Sequence, residues 1–354
     1  MSAPDPVTII GSGCAGLSLA KEIGAQKLSP IHLLTDKSCH DRAPHIWGFW
    51  QMPWLADAAG RSDHHWQKWQ IITDKATITH HSTTHPYHQI SSDKWLSHCL
   101  AQSGTNEVIT SSAKPAAPYF DSRPLAPPKG CLYQHFAGQH IVADKDVFDP
   151  TTAILMDFRC DQSHGLHFIY LLPSSPRHAL IESTLFTDTP LDKSYYHEAI
   201  TAYMARHHSG ISYHSTADEA GIIPLADCRD KQQPSSAIGA RGGALRPSSG
   251  YAFTFIQKQV NAIISHYKKT GSWQARAPIS SRDRWMDKVF LHVLRTHPDR
   301  AISLFSAMAQ ALRGDEFARF MSGAPSWRIL AKVILAMPKA PFVTAACAVL
   351  CGRG

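Results

Sequence analysis

The chain predicts an α/β fold: a parallel sheet crossed by helices, interleaved with an antiparallel sheet and followed by a helical C-terminal region. Three stretches carry that prediction. Residues 7–36 read as strand, glycine turn, helix, strand and acid. Residues 149–186 hold two strand-like runs split by a Pro/Ser turn. Residues 283–350 place apolar residues at helical spacing. A chain of 354 residues is long enough for two intimately joined domains around a large core.

The first element is the short apolar run Val7–Ile10. Gly11-Ser-Gly13-Cys-Ala-Gly16 follows at once, Leu17–Ile23 continues at helical spacing, and Ile31–Leu34 forms a second run ending in Asp36. In this order the first glycine permits the tight turn, the second lets the backbone approach a pyrophosphate, and the third lets helix and strand pack closely. The pyrophosphate would rest on unpaired N–H groups at the helix start. Asp36 is placed to accept from a ribose hydroxyl, 25 residues after Gly11. Together these predict a Rossmann-type dinucleotide-binding fold, for which FAD and NAD are both suitable. A later segment, Ile238–Phe255, reads as a short strand, a glycine-rich loop, and Pro247-Ser-Ser-Gly250-Tyr251 opening a helix over Ala252–Tyr267. A second helix N-terminus would suit the electron-rich end of a flavin ring. An ordinary glycine loop capping a helix reads the same way.

The runs Leu166–Pro173 and Ala179–Phe186 are rich in β-branched and aromatic residues, and Asp188 lies just beyond the second. The second run sets one carboxylate, Glu182, among apolar residues. Burial on a strand would favour its neutral form and raise its pKa, which suits a general acid working near neutral pH. By local pattern alone, a carboxylate facing solvent on an edge strand is the commoner outcome.

The formal net charge is +7 and the pI about 9.0. A basic balance fits nucleic acid, an anionic membrane surface or anionic ligands. Lys and Arg are dispersed and no aromatic platform recurs, which argues against nucleic acid. The eight cysteines show no CxxC spacing, so they read as reduced thiols in a cytoplasmic protein. The 22 histidines include the pairs His64–His65, His80–His81 and His207–His208, with no HExxH or zinc spacing, so no metal site is expected. Val7–Ala20 is preceded by Asp5 without a basic flank, and its glycines fit the nucleotide motif, so it does not read as a targeting signal.

The domains read as interleaved. Residues 1–50, 105–142 and 238–267 form the dinucleotide-binding domain, the middle part returning through Val108–Ser111 and Cys131–Phe136. Residues 51–104 and 143–237 form a substrate-binding domain, with helices at Asp93–Gln102 and Tyr195–His207. Pro115–Pro128 reads as a loop. Residues 268–354 form the helical C-terminal region. Its last part, 326–354, carries Arg328, Lys332, Lys339 and Arg353 and no acid. The longest charge-free stretch there, Ala340–Gly352, is 13 residues, short of the ~20 that span a bilayer. Such an end suits the interface of an anionic leaflet. A helical cap with snorkelling lysine stems is the competing reading.

Nearly end to end, the chain resembles the FAD-dependent lycopene cyclases of carotenoid-making bacteria. GSGCAGLSLA resembles the family's dinucleotide motif, PHIWGFW (44–50) its His-x-Trp box, and YHQIS (87–91) a further short box. FDSRP (120–124) resembles its Asp-Gly-Arg turn, with Ser122 in place of glycine, and QHFAGQHI (134–141) its Gln-x-Phe-x-Gly box. ILMDFRCDQSHGLHFIYLLP resembles the Met-Asp to Leu-Pro block. EAGIIPL (219–225) and GARGGALRPSSGYAF resemble two later boxes, with Gly243 and Arg246 where alanine and histidine are expected. ALIEST resembles the box that carries the family's catalytic glutamate, which maps to Glu182.

The resemblance implies cyclisation of the end groups of lycopene, or a related linear carotenoid, to β-rings. It implies reduced FAD held by Gly11, Gly13, Gly16, Asp36, Pro247 and Gly250, with NAD(P)H serving only as reductant. Trp47, Phe49, Phe168 and Tyr170 are implied as cation-stabilising faces by their places in the boxes. A substrate that dissolves only in membranes implies a cytoplasmic enzyme bound peripherally to the inner face of the cell membrane. Two other readings remain open: a redox flavoenzyme of the same fold, such as a polyprenyl reductase or hydroxylase, and a non-catalytic flavin-binding protein.

Overall fold

The computed structural model describes residues 5–41, 43–110 and 118–352. Ser111, the end of the expected strand Val108–Ser111, lies outside them, as do Pro115 and Arg353. The chain divides into two compact units, each assembled from separated segments. The first comprises Met1–Asp63, Gln89–Lys129 and Ala226–Arg284, and the second His64–His88, Gly130–Leu225 and Trp285–Gly354.

The first unit is built on a four-stranded sheet in the order Glu107–Ile109, Ile31–Thr35, Val7–Ile10, Tyr119–Asp121. All its pairings are parallel, with Ile9 opposite Leu33 on one side and Phe120 on the other. Val7, Ile9 and Leu33 are fully buried, as a parallel sheet covered by helices requires. The fourth strand, Tyr119–Asp121, falls inside the stretch expected to be loop. Val7–Ile10 supplies the ladder that draws these residues into the sheet between prolines 118 and 124. The helix Cys14–Ala25 buries Leu17, Leu19, Ala20 and Ile23, each large side chain contributing roughly 1.5–3 kcal/mol relative to exposure. It packs against the helices Ser92–Ser103 and Phe253–Thr270. Ser18 joins the three, its hydroxyl accepting from Trp95 Nε1 at 3.0 Å and Gln257 Nε2 at 2.8 Å. The short strand expected near Ile238 is reduced to a single bridge between Asp121 and Ala237.

The second unit is built on a seven-stranded sheet in the order Tyr213–Leu225, Leu132–Ala143, His178–Thr187, Leu166–Pro173, Thr152–Asp157, Lys68–Ile72, Thr77–His81. Every pairing is antiparallel except that of Thr152–Asp157 with Lys68–Ile72. Cys131–Phe136, expected in the nucleotide core, is instead the start of this sheet's longest inner strand. Leu132–Ala143 pairs along its length with His178–Thr187 on one side and Tyr213–Leu225 on the other. The helix Lys193–His207 covers one face: Ile200, Tyr203 and Met204 pack with Ile141, Ile169, Leu171 and Ile181. Side chains alternate along a strand, so residues 168, 170, 182, 184 and 186 point to the other face.

From Trp285 onward the second unit is helical, with Ala301–Ala311, Gly314–Met321, Trp327–Ala336 and Lys339–Leu350 following the helix Ser281–Thr296. Phe305 lies against Phe158 and Phe186, and so covers part of the face away from Lys193–His207. His80 closes the end of Ala301–Ala311, its Nε2 lying 3.0 Å from the Ala309 carbonyl and 3.1 Å from that of Leu312. Among the described residues no single helix is long and apolar enough to cross a membrane; Trp327–Ala336 and Lys339–Leu350 reach that hydropathy together but are bent by 112°.

Candidate active site

The glycine turn is held by close approach of backbone to backbone. Gly11 has φ +96°, open to glycine and strained for other residues. A Cβ on Gly16 would overlap the Gly11 carbonyl oxygen, whereas one on Gly13 would meet nothing within 4 Å. Gly13 is the N-cap of Cys14–Ala25, without a side-chain cap or an acid in the first turn. The helix Phe253–Thr270 also begins without a side-chain cap or a first-turn acid. Pro247 and Gly250 lie in the turn before it, where Gly250 (φ +67°) donates its N–H to the Arg246 carbonyl at 3.0 Å. The two glycine segments meet: a Cβ on Gly239 would stand 2.9 Å from the Ala15 Cβ. Asp36 is exposed at the end of its strand and acts electrostatically on Arg123. Backbone donors, two uncapped helix starts and a clear approach at Gly13 fit a dinucleotide's phosphates. Ser122 fills the place expected for glycine; its hydroxyl donates to the Ile10 carbonyl at 2.8 Å and stands against Gly11.

The carboxylate site lies in the second unit, where four strands align one row of residues. Tyr170 is opposite Glu182, Glu182 opposite Gly138, and Gly138 opposite Glu219. Directly opposed residues share a face, so this row lies on the side away from Lys193–His207. Glu182 is 8 % exposed and Glu219 5 %. The absent side chain of Gly138 makes room for both: a Cβ there would stand 2.7 Å from Glu182 Cγ and 3.4 Å from Glu219 Cγ. Glu182 is held well above the usual carboxylate range, first by loss of hydration, then by the charge of Glu219 and a hydrogen bond with it. Burial and the neighbouring carboxylate both favour the protonated form of Glu182 over the charged one.

The other expected residues fall in both units. Tyr170 belongs to the row, its hydroxyl 2.9 Å from that of Tyr87. Phe168 is on the same face, edge-on to Phe158 and Phe186. Trp47 and Phe49 lie in the first unit and pack on Phe253, with Phe49 fully buried. Asp157 is committed on the helix side, its carboxylate bound by Arg159 (2.6 and 2.9 Å) and by the Tyr203 hydroxyl at 3.0 Å. Glu219 is the residue that sequence reasoning left without a role. Its box, EAGIIPL, was visible; its pairing across Gly138 was not.

The family model described as lycopene cyclase protein matches residues 6–119 and 115–347. A lycopene beta-cyclase of Pantoea ananas is 23% identical, with 97% of each chain covered. Another, from Paracoccus sp., is 27% identical over 60% of this chain and 58% of its own. Among solved structures, a flavin-dependent brominase superposes with TM-score 0.61 at 16% identity, covering 93% of this chain and 97% of its own. A geranylgeranyl bacteriochlorophyll reductase-like protein of Thermoplasma acidophilum gives 0.59 at 11% identity, covering 97% and 98%. These two likenesses concern the fold. The family match runs through both glycine segments and the carboxylate row, and by it the chain belongs to the lycopene cyclase protein family.

Proposed function

We propose that this protein cyclises the end groups of lycopene, or a related linear carotenoid, to β-rings, with Glu182 as the proton donor. The observation that carries the proposal is a buried carboxyl, whose acid form is favoured by burial and by Glu219, on a sheet face shared with Phe168 and Tyr170. A linear polyene offers a catalyst only its terminal double bonds. The Glu182 proton adds to C2 and leaves a tertiary cation at C1. The C5=C6 pair then forms the C1–C6 bond and moves the cation to C5. Loss of the C6 proton to a base gives the C5=C6 bond of the ring, so one proton enters, one leaves, and no electrons are transferred. The faces of Phe168 and Tyr170 supply cation–π attraction to the positive intermediates.

Gly11, Gly13, Gly16, Asp36, Pro247 and Gly250 would hold FAD, whose reduced form supplies negative charge that stabilises a carbocation. NAD(P)H serves only to keep it reduced. Supporting a peripheral position on the inner face of the cell membrane, the last two helices expose Trp327, Ile334, Leu335, Val343 and Leu350 beside Arg328 and Lys339.

Pigment chromatography in a lycopene-accumulating bacterial host is the direct test. Expression should convert lycopene to ringed products, and Glu182→Gln should leave it linear. Purified protein that oxidises flavin in step with product would overturn the redox-neutral reading in favour of a reductase or hydroxylase.

A further inference from the structure

The cyclase reading leaves one buried acid unused. The edge strand Tyr213–Leu225 is exposed along most of its length, yet Glu219 within it is 5 % exposed. It faces Glu182 across Gly138, the one residue in the row without a side chain. Two glutamates whose Cγ atoms both lie against the space above one glycine compete for the same small volume. Like charges cannot both be kept there without water, and one shared proton relieves the repulsion and supplies the hydrogen bond.

We propose that Glu219 is the positioning residue of the proton donor: it shares a single proton with Glu182 over Gly138, holding Glu182 in the acid form and fixing where its proton points. This rests on the reading of Glu182 as the donor. Before transfer the pair carries one negative charge, with the Glu182 O–H donating to the Glu219 carboxylate. After transfer it carries two, opposite the positive charge created on the substrate.

Among the described residues, Glu219 is the charged group that acts on Glu182. The other titratable side chains on this face of the row and its neighbours are Tyr170, bonded to Tyr87, and His140, two residues from Gly138. The helix Ala301–Ala311, which reaches this face through Phe305, contains no ionisable side chain.

The test is ring formation from lycopene with chemically reduced FAD, under anaerobic conditions, followed against pH. Wild-type rate should fall at alkaline pH as Glu182 loses its proton. In Glu219→Gln that fall should move to lower pH by at least about one unit, in addition to any loss of rate in acid from the lost orientation of the proton. Glu219→Asp, which keeps the charge, should hold the limb closer to wild type. An unmoved alkaline limb, whatever the loss of rate, would overturn the pairing. An independent readout needs no variant at 219: the infrared band of a protonated carboxyl should be present in wild type at pH 7 and missing in Glu182→Gln. Its absence from wild type also overturns the proposal. Wild-type protein that forms no rings would instead overturn the cyclase reading itself.

Discussion

The carbonyl of Gly11 stands so close to Gly16 that a single methyl on Gly16 would overlap its oxygen. Gly13, between them, faces open space. The same motif thus contains one glycine required by the protein's own packing and one that leaves room for something else. Gly16→Ala should destabilise the first unit, lowering the melting temperature with or without FAD. Gly13→Glu should melt near wild type yet lose the flavin spectrum after reconstitution, because its carboxylate fills the place of the pyrophosphate. Retained flavin in a folded Gly13→Glu protein would remove the turn from the cofactor site.

Glu182→Gln preserves shape and hydrogen bonding but has no acidic proton. The rate of ring formation should fall by at least ~10²-fold, with flavin content unchanged. In deuterated water the wild-type product should carry deuterium at C2. Turnover of the variant close to wild type would place the donor elsewhere.

The same substitution should raise stability, increasingly so with pH. Folding lifts the Glu182 pKa above its ordinary value of 4.5. Stability associated with this group is therefore complete below 4.5 and is lost as pH rises through the folded value. Glutamine does not titrate. The gap in unfolding free energy between variant and wild type should widen above pH 4.5 by at most about 1.4 kcal/mol per pH unit, and level off once folded Glu182 ionises. Denaturant titrations from pH 5 to pH 8 measure it. A constant gap over that range would mean that Glu182 titrates normally in the folded protein.

Trp327 (74 % exposed) and Leu335 (73 %) protrude from one helix whose Ile329, Leu330 and Val333 are buried. Replacing both exposed residues by glutamate leaves the packed side intact. Flotation with anionic liposomes should drop at least about tenfold, in keeping with the apolar area withdrawn, and wild-type flotation should weaken as salt rises. Lys332 should matter less than Arg328, because its ammonium already engages Glu316 at 2.6 Å. Unchanged flotation of a folded double variant would rule out this helix as the contact.

The parts legible in the sequence are those in which a short stretch determines its own structure. The glycine turn, its two flanking strands and the helix between them needed no distant partner. The apolar strand around Glu182 and the C-terminal helices were readable because their periodicity is local. Pairing is a different kind of information. Tyr119–Asp121 sits between prolines and becomes a strand only because Val7–Ile10 offers an open edge. Leu132–Ala143 looks like any apolar strand, and its partners lie tens of residues downstream. Glu219 was hidden for the same reason: its strand has no alternation that marks one face as buried. Nothing within five residues of it reports that a glycine on the next strand makes room for its carboxylate.

The row Tyr170, Glu182, Gly138, Glu219 depends on register as well as composition. Side chains on a strand change face with every residue, so a slip of one position exchanges the whole set. Between Pro173, paired with Ala179, and the Glu182 position, chain length decides whether the acid meets the face shared with Phe168 and Tyr170 or the helix Lys193–His207. One residue gained there and not absorbed at the Ser174–Arg177 turn would keep every chemical group and bury Glu182 among Ile200, Tyr203 and Met204. In this sheet the place of Glu182 is specified by counting as much as by chemistry, and a change in length is more dangerous to it than most changes of residue.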